Sequence, residues 1–423
     1  MSVSKKQAVV PGSAPLERLS DPKRRHGILK RGISVPWNGE PRLGSIYGDE
    51  EIEAAVQAIR DSMDPNIGFG MSDGEVDEFE RALADYFGVK HAVTCNGAGT
   101  GIDMSLMALD LEPGDEVITQ SINYRAVPLA IAGQRAKIIF AEVDPNTLQL
   151  DPNDVEKRIT PRTRAIFPTH MNGMSAPMDD LLEIAQRHPN PKHGPLKVIG
   201  DAARASGAGY RGTKVGKKGW MNIFSFHTMK NISTLGEGGT ITTDDSDVLP
   251  RLHGFRQFGA QGDGWGSNYK MSKCQAAVGL VQLRKLDDLV AARRRLAHAR
   301  TEMLQGCPEL QLPCEPEGYY HCYYLYSILV SREWAGEKRD RLMALLRDEY
   351  GVDTVTANPP AHESIPYIRR LVGDIDLPVS HEVGRRLFCA PIHPAMSDED
   401  NEYIAAAVCE AVLRLREKMD ATG

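Results

Sequence analysis

From Asp49 onward the apolar residues fall at helical intervals. Ile52, Ala55, Val56 and Ile59 share one period, and Phe79 and Leu83 mark one face of a second helix running from about Val76 to Phe87. The pattern then changes to short apolar runs separated by amphipathic stretches. His91-Ala92-Val93-Thr94, Glu116-Val117-Ile118-Thr119, Lys137-Ile138-Ile139-Phe140, Ala165-Ile166-Phe167-Pro168 and Lys197-Val198-Ile199-Gly200 read as strands, with helices near 100–110, 125–133, 151–159 and 178–187 between them. This alternation predicts an α/β fold with a mainly parallel sheet sandwiched by helices, and ligands of such sheets sit at the carboxyl ends of the strands.

A long helix starts near Ser272, where Ala276, Leu280, Leu283, Leu286 and Val290 form a stripe that continues towards Leu296 and faces a core or bridges two domains. Past it come Pro308, Pro313 and Pro316, a tyrosine-rich strand over 323–330, and helices near 336–349 and 398–418. The expected organisation is an extended basic arm over 1–40, broken by Pro11, Pro15, Pro22 and Pro36, a large domain over 41–285 and a smaller C-terminal α/β domain over 286–423.

Composition narrows the function classes. With 41% hydrophobic and 25% charged residues over 423 positions, a large buried core is expected. A net charge of −7 gives no basic field for nucleic acid or an anionic membrane. The seven cysteines include no CxxC pair, which predicts reduced thiols rather than a disulfide frame or a zinc site. There is no apolar segment of signal-peptide type and no run of eighteen apolar residues, so a soluble, cytoplasmic protein is expected.

Candidate chemistry clusters at the predicted strand ends. Lys230 lies in SFHTMKNISTLGEGGT (225–240), among small and hydroxylic residues whose one acid is Glu237. It is either a solvated lysine on a hairpin or a lysine that forms a Schiff base. Asp201 follows the strand 197–200 and is either a helix N-cap or the partner of a cationic ligand group. Asn96-Gly97-Ala98-Gly99-Thr100-Gly101 enters a helix, as a phosphate-holding turn does, although simple chain geometry gives the same pattern. Tyr124 offers an aromatic face or is an ordinary half-buried tyrosine. Gly212-Thr213-Lys214-Val215-Gly216-Lys217-Lys218 has its glycines one residue too close for a Walker A loop and reads as a basic turn. In order, the turn, the aromatic, the acid and the lysine supply the four things that pyridoxal 5'-phosphate requires.

The chain resembles the DegT/DnrJ/StrS family of sugar aminotransferases, pyridoxal-phosphate enzymes of fold type I. The resemblance spans roughly residues 45 to 415 and is carried by PGDEVIT (113–119), ITPRTRAIFPTH (159–170), GDAARASGA (200–208), SFHTMKNISTLGEGG (225–239) and SNYKMSKCQAAVGLVQL (267–283). It implies that Lys230 is the imine lysine and Asp201 the partner of the pyridine nitrogen. It further implies that Gly99 and Thr100 give backbone N–H groups and Ser225 a hydroxyl to the phosphate, that Tyr124 stacks on the ring, and that Asn268 reaches the phosphate of the other subunit of a homodimer with shared active sites. Several positions depart from the family pattern. Ala98-Gly99-Thr100-Gly101-Ile102 stands where Gly-Thr-Ala-Ala-Leu is usual, Gly200 where glutamate is common, and Lys270 where arginine is usual; Arg204 stands where glutamine or histidine sits near the ring hydroxyl, which makes it a cofactor-binding residue unless it points at a substrate carboxylate or phosphate.

The implied reaction moves an amino group from an amino acid, glutamate or glutamine, to a keto-sugar or keto-cyclitol, in the making of an amino sugar, antibiotic or surface glycan. Arg256 is the candidate for the donor's carboxylate. A dehydratase/aromatase of the aminohydroxybenzoate-synthase type and a non-catalytic partner subunit are the alternatives. Deoxysugar dehydratases of the family carry histidine at the position of Lys230, which speaks against that branch.

Overall fold

The computed structural model describes residues 19–37, 46–67, 74–259 and 264–420. The elements in chain order begin with α1 (Pro22–Leu29), α2 (Asp49–Asp61), α3 (Glu75–Phe87), β1 (His91–Cys95), α4 (Ala98–Met107), β2 (Glu116–Gln120), α5 (Ala126–Gly133), β3 (Lys137–Ala141) and α6 (Pro152–Arg158). There follow β4 (Thr163–Phe167), α7 (Met178–Arg187), β5 (Lys197–Asp201), β6 (Gly209–Tyr210), β7 (Thr213–Lys214), β8 (Met221–Ser225), β9 (Gly239–Thr243) and α8 (Leu249–Arg256). The rest comprises α9 (Lys273–Leu304), β10 (Leu310–Gln311), β11 (Tyr319–Tyr320), β12 (Tyr326–Val330), α10 (Glu337–Tyr350), α11 (Ala361–Ser364), α12 (Pro366–Val372), α13 (Pro378–Arg386), β13 (Leu387–Ala390) and α14 (Asp398–Asp420).

Seven strands form the main sheet in the order β1-β9-β8-β5-β4-β2-β3. Every strand in it runs parallel except β9, which pairs antiparallel with both β1 and β8. Strands β2, β4, β8 and β9 are buried along their whole length, as apolar runs without polar alternation require when both faces are covered. Val117, Ile199, Ile223 and Ile241 pack with residues of α4, α5 and α8. From the other face Phe224 packs with α3 and α9, and Ile118 and Val198 with α7. A second sheet, β10-β12-β13, shares a core with α1, α10, α14 and the end of α9. Helix α9 starts from a capping box in which Ser272 and Gln275 bond each other's backbone N–H, and its 32 residues pack against both cores. The division expected at 285/286 falls inside it.

Three sequence expectations differ from the structure. Residues 22–29 are helical rather than extended. Pro22 occupies the first turn, where its missing N–H removes no bond, and the Asp21 carboxylate accepts from the Lys23 N–H at 2.9 Å. Arg25 then ties α1 to Glu410 of α14 at 3.0 Å. The remainder of the expected arm, 1–18 and 38–40, lies outside the described residues. The tyrosine-rich strand begins only at Tyr326, because 322–325 cross over to bond the backbone of Asn172 and Gly173. Helix α2 forms as expected, but its apolar stripe points outward: Ile52 is 60% and Ile59 51% exposed, while Glu51 is buried. The Glu51 carboxylate is held by Lys285 (2.8 and 3.0 Å) and Gln282 (2.7 Å) of α9 and by the Gly48 N–H (2.9 Å). Among the described residues no helix is long and apolar enough to cross a membrane.

Candidate active site

The parallel strands deliver Cys95, Gln120, Ala141, Phe167, Asp201 and Ser225 to one edge of the main sheet. At the end of β1 the chain turns through Asn96 and Gly97 into α4, so the first-turn N–H groups, including those of Gly99 and Thr100, meet no carbonyl within the helix. This turn lies hard against β9: a Cβ on Gly239 would stand 2.7 Å from both Ala98 N and Gly97 C. The Thr100 hydroxyl is used within the turn, 2.6 Å from Asn96 Oδ1 and 3.0 Å from Gly97 O, which leaves the backbone as the anion-binding part.

Asp201, at the end of β5, is 4% exposed. Its Oδ1 accepts from the Ala203 N–H at 3.0 Å. Its Oδ2 has only Thr169 Oγ1, at 3.5 Å, and that hydroxyl makes the shorter bond of 2.9 Å to Asn123 Oδ1. One carboxylate oxygen is therefore fixed and the other is open to an incoming N–H donor. Burial pushes the Asp201 carboxyl up, against the Ala203 N–H and the positive charges of Lys230 and Arg204, which favour the anion.

Behind Asp201 the polypeptide is packed without slack. The His170 N–H bonds Asp201 O (2.9 Å) and the Asp201 N–H bonds Pro168 O (2.8 Å). His170 Nδ1 accepts from the Ala176 N–H at 2.9 Å, so its proton sits on Nε2, which faces Asn222 Oδ1 at 3.4 Å. Burial lowers this imidazole to about 4 and keeps it neutral. A Cβ on Gly200 would lie 2.2 Å from Asn222 Oδ1 and 2.6 Å from His170 Nε2, which explains why glycine stands here in place of glutamate.

Lys230 sits in the loop after β8, half-buried, with its N–H bonded to His227 O at 2.8 Å. Its Nζ lies 4.7 Å from the centre of the Tyr324 ring, and among the described residues no carboxylate forms an ion pair with it. A solvated surface lysine does not describe it. Ser225 is buried, its Oγ 3.3 Å from the His227 N–H. Tyr124, directly beyond β2, is 54% exposed and keeps its ring free. Asn268 is exposed; its backbone pairs with that of Gln257, and the neighbouring Tyr269 O accepts from the Asn96 N–H at 2.8 Å.

Arg256, the candidate for the donor's carboxylate, is turned to internal partners. It is 3% exposed, ion-paired with Glu80 and bonded to Thr94 O at 3.1 Å and His253 Nδ1 at 3.1 Å, so its guanidinium is consumed inside the protein. In the structure Arg256 is the last residue of α8. Tyr324 went unremarked, because nothing in a strand-like tyrosine run marks which ring leaves the sheet to meet a lysine on another element.

A helix start with open N–H groups, a buried carboxylate with one open oxygen and an amine that no carboxylate ion-pairs among the described residues lie at one sheet edge. Together they match a phosphate, a protonated ring nitrogen and an aldehyde, the three polar parts of pyridoxal phosphate. The fold and the site thus define a fold-type-I pyridoxal-phosphate enzyme. Residues 48–409 match the model of the DegT/DnrJ/EryC1/StrS aminotransferase family, and the chain belongs to that family. It is 36% identical over 343 residues to the GDP-perosamine synthase of Caulobacter vibrioides (79% of this chain, 90% of that protein). With the spore coat polysaccharide biosynthesis protein SpsC of Bacillus subtilis it shares 32% over 403 residues (91% and 99%). The solved structure of Streptomyces venezuelae DesV in complex with a ketimine intermediate superposes with a TM-score of 0.79 at 32% identity, covering 88% of this chain and 97% of that one. The chain is accordingly a pyridoxal-phosphate-dependent sugar aminotransferase.

Proposed function

We propose that the protein transfers the amino group of glutamate or glutamine to a ketone on a nucleotide-linked sugar or a cyclitol, in the assembly of an amino sugar for a surface glycan or an antibiotic. The observation that carries this is the convergence of Lys230, Asp201 and the start of α4 at one sheet edge, in a chain similar to a GDP-perosamine synthase. When bound, pyridoxal phosphate supplies an electron sink for the pair left when the donor's α-carbon loses its proton. The first-turn N–H groups of α4, at Gly99 and Thr100, and the Ser225 hydroxyl hold the phosphate. The open Oδ2 of Asp201 accepts from the ring nitrogen and keeps it protonated. Lys230 Nζ, bounded by the Tyr324 ring, takes the proton from the donor's α-carbon. Tyr124 gives its exposed ring to the cofactor's face.

The protein acts as a homodimer with Asn268 reaching the partner's site. The apolar stripe of α2 supports this, since Ile52, Ile59, Met63 and Ile67 are each more than half exposed on one segment. The seven cysteines form no disulfide, which supports a reducing, cytoplasmic setting.

Purified protein is expected to be yellow, and the colour to be lost in Lys230→Ala. Glutamate or glutamine should bleach it, and a keto-sugar should restore it. If neither amino acid bleaches the wild-type protein while a ring substrate loses water, the dehydratase/aromatase reading replaces this one. Ile52→Glu with Ile59→Glu should halve the mass in solution; an unchanged mass removes α2 from the interface.

A further inference from the structure

Arg204 stands three residues beyond Asp201 and is half-buried. Its Nη2 donates to Asn358 Oδ1 at 2.8 Å, and Nη1 lies 3.5 Å from Asn172 Oδ1 and 3.6 Å from Met171 Sδ. All three partners are neutral, and among the described residues no carboxylate forms an ion pair with this arginine. That sets it apart from Arg256, whose charge is matched by Glu80. The guanidinium carbon is 5.6 Å from the centre of the Tyr324 ring, against which Lys230 Nζ also lies at 4.7 Å. One aromatic ring thus has the reactive amine and an unmatched guanidinium against it.

The support for Arg204 comes from a distant part of the chain. Asn358 adopts the left-handed φ of 57°, and the same loop is tied to the end of β2 by the bond from the Ala361 N–H to Ser121 O at 2.8 Å. The Asn358 amide therefore fixes Nη2, Nη1 lies against Asn172 and Met171, and among the described residues the Nε–H makes no hydrogen bond and is left for a ligand. A half-buried guanidinium that feels the Asp201 charge but is ion-paired with no carboxylate among the described residues is suited to an external anion with two oxygens.

We propose that Arg204 receives the carboxylate of the amino-acid donor, with Asn358 as its positioning residue. This rests on the aminotransferase reading above. It gives the donor's carboxylate a guanidinium that, unlike that of Arg256, has no ion-paired carboxylate of its own among the described residues.

The test uses the holoenzyme and glutarate, a dicarboxylate that lacks the reacting amine, with binding read by calorimetry. Arg204→Gln should raise the Kd for glutarate about tenfold to a hundredfold, the range of a charge-assisted pair. It should raise the glutamate concentration needed for half-maximal bleaching by a similar factor and leave the keto-sugar half-reaction unchanged. Asn358→Asp, which keeps the guanidinium but supplies an internal carboxylate, should weaken glutarate binding as well and keeps the idea testable if Arg204→Gln folds poorly. Unchanged glutarate binding in both variants overturns the proposal, as does an effect confined to the keto-sugar half-reaction. A wild-type protein that no amino acid bleaches refutes the aminotransferase reading instead, so the two failures are distinct.

Discussion

Gly200→Ala adds one methyl group next to the carboxylate proposed to hold the cofactor's ring. Its ideal position is 2.2 Å from Asn222 Oδ1 and 2.6 Å from His170 Nε2, so a separation of ordinary contact size demands a shift of about 1 Å. Neither neighbour can give way freely. Asn222 Nδ2 bonds Gly216 O (3.2 Å) and Lys218 O (2.9 Å), and the His170 ring is fixed by the Ala176 N–H (2.9 Å). Displacing Asn222 weakens three hydrogen bonds at about 0.5–1.5 kcal/mol each, so a loss of about 2–4 kcal/mol is expected. Because Asp201 is the next residue and its backbone bonds the 168–170 segment, cofactor affinity should fall together with stability. Denaturant unfolding and cofactor retention on dialysis measure the two. Asn222→Ala removes the nearer obstacle, so the double variant should lose less than the two single losses added together. A Gly200→Ala protein within about 0.5 kcal/mol of wild type, with cofactor retained, would refute the packing argument.

Further outcomes follow from the same contacts. Arg256→Gln leaves Glu80, whose side chain is 12% exposed, without its cation and should cost about 3 kcal/mol of stability while leaving the donor KM alone; a KM effect without destabilisation would restore Arg256 to substrate binding. Burial holds His170 at about 4 and His321 at about 3, below the usual 6.5, so the unfolded chain binds protons between those values that the folded chain does not. Their contribution is complete above pH 6.5 and declines as pH falls, by about 3 kcal/mol for His170 at pH 4. Stability of His170→Asn, whose amide oxygen can still accept the Ala176 N–H, should depend less steeply on pH than wild type across this window, and identical slopes would show that His170 is not held neutral. Tyr324→Leu removes the ring against which Lys230 and Arg204 both lie and should slow the donor half-reaction more than it weakens cofactor binding; an equal loss in both would make the ring structural.

What the sequence discloses and what it hides divide by the range of the interaction. The alternation that predicted the parallel sheet needs only neighbours along the chain, because burial on both faces is written into each strand as an apolar run. Asp201 and Lys230 could be singled out for a related reason: one ends its strand and the other follows one, and parallel strands put their carboxyl ends on one edge. The misreadings involve partners far away in sequence. Arg256 was a candidate for the donor's carboxylate because nothing nearby announces Glu80, 176 positions earlier. The stripe of α2 is helical in period, yet Glu51 turns inward because Gln282 and Lys285 await it on α9. Arg204 joins both classes. Its departure from the family pattern is visible in GDAARASGA, but only the reach of Asn358, 154 positions later, shows that the departure has a support built for it. An arginine that had merely drifted into an uncharged position would be expected to turn to solvent or to take up a carboxylate of its own. This one is half-buried, is held by amides and is ion-paired with no carboxylate among the described residues, against the same ring as Lys230, which suits it to an anion that arrives with the substrate.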